Sequence, residues 1–217
     1  MHLKKLILVY FILIFAGVSN SYSQHKTIKP DFNQIGKYDD LITQLKSRDT
    51  SVNFYELRMA FTQSPYYNPY STEISDLRKK MYDALILKNY INVLEYANRI
   101  LDSNYLDLFA HFFSDESYQH VNLQEEAKYH RFIWRGLLNS IIKSGDGLSP
   151  ETAHLVISSS EEYFVLFIYG FESKKQTTQN FKSESIDAIE AVNSKTKDTL
   201  TLYFNTTLLL YSYKNRN

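Results

Sequence analysis

The spacing of apolar residues changes period along this chain, and that change limits the folds open to it. From Thr72 to about Ile142 they recur every three to four residues, whereas Leu200, Leu202 and Phe204 alternate with Thr199, Thr201 and Tyr203. The first period puts one face of a helix in a core and the second puts one face of a strand there, so neither segment can take the other's structure. Helices first and a small antiparallel sheet last is an α+β architecture.

The pattern predicts individual elements. Phe32, Ile35, Tyr38, Leu41, Ile42 and Leu45 have the spacing of a short helix, and Asp49-Thr50-Ser51 offers N-caps to a second one carrying Phe54, Leu57, Arg58 and Phe61. Pro65 and Pro69 stop it. Helices are then expected from Ser75 to about Lys88, after a turn at Asn89-Tyr90 through Val93 to Leu101, from Leu106 to Tyr118, and from Asn122 through Ile142. Asn89-Tyr90-x-x-Val93-Leu94 and Asn122-Leu123-x-x-Glu126-Ala127 lie 33 residues apart, a tetratricopeptide-like period. One and a half such units cannot close a solenoid core, so something must cap them.

The C-terminal third is expected to do so. After a loop over Ser144–Pro150 and a short helix over Glu151–Val156, the run Tyr163–Tyr169 (YFVLFIY) reads as a strand buried on both faces. Ile186–Val192 and Thr199–Asn205 read as a hairpin, with Thr207–Tyr213 extending the sheet. The expected organisation is one α+β domain over 24–217, helical over about 31–157 and sheet over about 161–213.

The first 23 residues carry an address. Lys4 and Lys5 precede the apolar run Leu6–Val18, and Ser21 and Ser23 occupy the small-residue slots of a cleavage site. As a helix the run spans about 20 Å, short of a bilayer core of about 30 Å. A cleaved signal peptide over 1–23 is therefore expected, with a mature chain starting at Gln24 in the periplasm or outside the cell. The chain has 24 Lys+Arg, 24 Asp+Glu and no cysteine. Removing Lys4 and Lys5 leaves 22 against 24, a net charge of −2. Without a basic face, neither nucleic acid nor an anionic membrane is an expected partner. The absence of cysteine excludes disulfides, thiolate metal sites and a lipid-anchored N-terminal cysteine.

Four stretches, Leu57–Phe61 with Tyr67–Tyr70, Ser144–Gly147, Glu161–Tyr163 and Leu202–Asn205, resemble a bacterial secreted family known only as domain-of-unknown-function family 4919. The resemblance spans nearly all of the mature chain and implies an exported α+β domain. It supplies no activity, ligand or catalytic residue.

Candidate chemistry is sparse. His111 with Asp115, and Glu126 with His130, are i, i+4 pairs that share a helix face. A hydrolase would use His111 or His130 with a carboxylate from another helix, and Glu126 is a further candidate. No HExxH, G-x-S-x-G or phosphate-loop motif accompanies them, so neither metal nor cofactor is expected. Gly145-Asp146-Gly147 reads as a turn. Glu161 and Glu162, placed at a strand start, would point to opposite faces. Tyr66, Tyr67 and Tyr70, interleaved with two prolines and near Arg58, form the most ligand-like patch, suited to a protein, peptide or glycan. The leading expectation is a non-catalytic exported interaction module, and an exported hydrolase is the alternative.

Overall fold

The structure, a computed structural model, describes residues 37–214. The expected leader, Phe32 and Ile35 lie outside them. Helices α1 (Lys37–Lys46) and α2 (Phe54–Thr62) lead into four longer ones, α3 (Thr72–Ile86), α4 (Tyr90–Ser103), α5 (Leu108–His120) and α6 (Gln124–Ile142). Each of these four packs on the next. The starts of α2 to α5 are set by short polar side chains that satisfy orphan backbone amides. Asn53 accepts from the amides of Tyr55 and Glu56, Ser71 from Ile74, Asn89 from Asn92 and Asp107 from Ala110. Lys88 and Asn122 take positive φ in the two tight turns, at 56° and 63°.

A single 3₁₀ turn (Pro150–Thr152) leads into β1 (His154–Leu155), then α7 (Ser159–Tyr169), β2 (Phe171–Phe181), β3 (Glu184–Asn193), β4 (Thr199–Asn205) and α8 (Thr207–Lys214). The strand order is β1-β4-β3-β2. The expected hairpin is β3–β4, with Ile189 opposite Leu202 and Asp187 opposite Phe204. Because β1 runs parallel to β4, the sheet is mixed rather than antiparallel.

Three further expectations fail, each for a physical reason. Tyr163–Tyr169 is the body of helix α7, not a strand. Glu161 and Glu162 sit in its first turn, where the helix dipole favours acids, and Gly170 ends it in the left-handed conformation at φ 72°. Its apolar character on all sides comes from being sandwiched: Phe164 packs on Phe109 at 5.0 Å, Phe167 on Phe112 at 5.3 Å, and the other side meets β2. The segment after Asn205 turns into α8, its first amide held by the Asn205 side chain, and buries Leu208 and Leu209 instead of extending the sheet. Most of Glu151–Val156 is not helical, because the Val156 amide is drawn to the Asn205 carbonyl at 3.2 Å. The sheet region therefore begins at His154, with a helix inserted in it.

One core runs through both halves. Leu45, Leu57, Met81, Ile100, Ile133, Leu137 and Ile141 from the helices join Phe164, Leu166, Ile189 and Phe204 from the C-terminal third, each at most 2% exposed. Burial of this kind contributes on the order of 25 cal/mol per Å² of apolar surface.

Candidate functional site

Polar groups from six segments meet around β1. Arg58, on the face of α2 turned toward α6 and the C-terminal third, is fully buried. Its Nε and Nη2 donate to the two Glu161 oxygens at 3.1 and 2.6 Å, Nη1 to Ser140 at 2.9 Å, and Nη2 also to the Leu155 carbonyl at 2.8 Å. Glu161 in turn accepts the Ile157 amide at 2.8 Å. A two-pronged pair with its remaining valences filled can offset the cost of burying both charges. Tyr67 adds a second tie, its hydroxyl donating to the Ile157 carbonyl at 2.6 Å. Gly147 adds a third, its amide donating to Thr152 and its carbonyl accepting from Tyr203, both at 2.8 Å. A Cβ on Gly147 would lie 2.6 Å from the His154 ring, and one on Gly145 would strike the Thr152 carbonyl. The stretches that carry the family resemblance, distant in sequence, build this junction together.

A second polar cluster lies on the sheet face under α7. Glu162 is completely buried and Asp187 nearly so. The Gln176 amide nitrogen donates to Asp187 at 2.7 Å and to Glu162 at 3.3 Å, and the Thr178 hydroxyl donates to Asp187 at 2.6 Å. Tyr163 donates to the Gln176 carbonyl at 2.8 Å. Burial first, and Asp187 second, push the Glu162 carboxyl up to about 9. Glu161 and Glu162 point apart, as the sequence suggests, but from a helix and not from a strand. One turns toward Arg58 and the other toward the sheet.

The histidines do come together. His111 and His130 approach Nδ1 to Nδ1 at 2.9 Å, and His111 Nε2 lies 2.8 Å from the Tyr105 carbonyl. That carbonyl can only accept, so His111 carries its proton on Nε2 and receives one from His130. Both rings are buried, and burial holds both below the usual histidine range, His130 down to about 4. Glu126 turns away to a bidentate pair with Arg48 at 2.7 and 2.8 Å. Asp115 accepts Arg131 and the Trp134 indole. This arrangement is a packed polar core, with the base of one ring used up on the other.

The aromatic loop divides. Tyr67 is buried, whereas Tyr66 and Tyr70 remain 54% and 49% exposed. Tyr66 rests 6.0 Å from the Tyr38 ring, and Arg58 does not face the loop's exposed rings but points into the junction. Elsewhere, an open groove of about 380 Å³ runs along α6 beside Lys128, Arg131, Phe132, Arg135 and Asn139. Among the described residues, no cluster of three or more histidines or carboxylates could hold a metal, and no helix is long and apolar enough to cross a membrane.

A family model described as a domain of unknown function, DUF4919, matches residues 23–215. No curated protein and no solved structure matches the chain.

Proposed function

This chain belongs to the DUF4919 family, and from that premise and the geometry above we propose that it is an exported, non-catalytic interaction module that grips an extended segment of a partner protein. The observation that carries this reading is the Ser64–Tyr70 loop. Its middle tyrosine is anchored to the Ile157 carbonyl, while the tyrosines on either side present half of their surface to solvent. Rings held on a fixed loop offer large contact area with little entropy left to lose on binding. The pairwise packing of α3–α6, with its tetratricopeptide-like spacing, suits a scaffold that displays such a surface. The basic start and apolar run of residues 1–23, read as a cleaved leader, support export. A hydrolase would need His111 or His130 with Glu126 at a substrate, but the rings are buried and Glu126 is committed to Arg48.

The test is selection of a random-peptide display library on the immobilised protein. Selected peptides should lose roughly thirtyfold in affinity for a Tyr66→Ala/Tyr70→Ala variant, as expected for aromatic anchors worth about 2 kcal/mol. The melting temperature of that variant should stay within about a degree of the parent's. Failure to enrich any peptide, or equal binding by the variant, would overturn the reading.

A further inference from the structure

The two carboxyls under α7 have no cation between them. Asp187 is served only by the neutral donors Gln176 and Thr178, and Glu162 only by Gln176. The second Glu162 oxygen, Oε1, is buried with no donor in reach. Two bare carboxylates in such a place would repel each other and leave that oxygen's desolvation unpaid. A proton on Glu162 removes both penalties, because the resulting O–H can donate to Asp187.

We propose that Glu162 and Asp187 share one proton, with Glu162 as the acid, and that this proton pins the outer β2–β3 ribbon to the first turn of α7. The geometry shows why the pin matters. Strand β2 is the sheet edge, and its residues from Glu172 to Asn180 are all exposed. The edge strand is tied to α7 through Gln176, which bridges Tyr163, Glu162 and Asp187. Losing the proton to solvent would set two negative charges against each other at the centre of that tie.

Among the described residues, the surroundings leave the proton as the compensating charge. On α7 itself, Glu161 is spent on Arg58, and Tyr163 faces Gln176. On β2, Lys174 pairs with Glu172, and Lys175 reaches across to Glu190. On β4 the residue opposite Asp187 is Phe204, and His154 of β1 lies beyond it in the same cross-strand row, packed on the Phe204 ring. From α5 come the uncharged rings Phe109, Phe112 and Phe113. The pair is independent of the tyrosine loop, so it stands or falls separately from the binding role.

The sign of the pH effect follows. In the unfolded chain Glu162 loses its proton near the ordinary carboxylate value, whereas the folded protein keeps it until about pH 9. The folded state therefore binds the extra proton between these limits. Its stability from this source is complete below about pH 4.5 and declines as pH rises toward 9. The folding equilibrium constant of the full chain, from urea unfolding, should fall by up to about tenfold per pH unit between pH 7 and 9. Glu162→Gln, which keeps a donor in place without a titrating proton, should flatten that limb. It should leave untouched the separate fall below about pH 6.5, where the buried His111 and His130 must take up protons on unfolding. Carbon-13 labelling of glutamate gives a readout free of any variant's folding: the Glu162 carboxyl should show the protonated shift at pH 7. An ionised Glu162 at pH 7, or an alkaline limb unchanged in Glu162→Gln, would overturn the proposal.

Discussion

Arg58 shows how a residue can be visible in sequence while its role is not. A cation at the centre of Leu57-Arg58-Met59-Ala60-Phe61 stands out, yet nothing within a few residues names its partner, which is 103 positions away. Tyr67 has the same character, bonded 90 residues downstream. Spacing rules see neighbours on one helix, so they flagged Glu126 with His130 and missed His130 with His111, which only the packing of α5 on α6 brings together. The buried pair yields a specific expectation. Arg58→Met should cost about 3–5 kcal/mol, because Glu161 is left as a lone buried charge. Adding Glu161→Gln to it should recover a large part of that loss, measured as a double-mutant cycle by urea denaturation. Additive losses would mean that the pair is not the unit described above.

Among the elements, α3 to α6 were legible because each buries one stripe against its neighbour, and α3 to α5 also carry a polar N-cap. The C-terminal third was less so. Helix α7 was hidden by burial on both sides, which erases the helical stripe and leaves an apolar run that composition assigns to a strand. The discriminating signals were at its ends: Ser159-Ser160-Glu161-Glu162 in its first turn and Gly170 after it. Strand β2 (FESKKQTTQNF) offered no alternation, since neither of its faces enters the core. It is a strand because β3 pairs with it from Phe171 to Phe181. The two positive-φ glycines that frame this region should respond differently to alanine. At Gly170 nothing lies within 4 Å of the added Cβ, so only the backbone penalty of about 1 kcal/mol applies. At Gly147 the same backbone penalty is joined by a clash with the His154 ring. Gly147→Ala should therefore lower the melting temperature more than Gly170→Ala, and the reverse order would count against the tight Gly147 turn.

At the level of the whole molecule, the helical and sheet regions are completed by each other. The aromatic face of α5 and α6 is covered by Phe164 and Phe167 of α7, with Trp134 to Phe164 at 6.4 Å. The charge on Arg58 is met by Glu161, and the Tyr67 hydroxyl by the Ile157 carbonyl. The C-terminal third does pack on the helices, although its first layer there is a helix and not the strand expected. Thermal unfolding of a chain ending at Ser149 tests this mutual completion most directly. Without β1, α7 and the strands, it should keep helical far-UV circular dichroism but melt without a sharp transition and bind a hydrophobic dye. A soluble monomer with a cooperative melt would show instead that the helices form an independent core, contradicting the account.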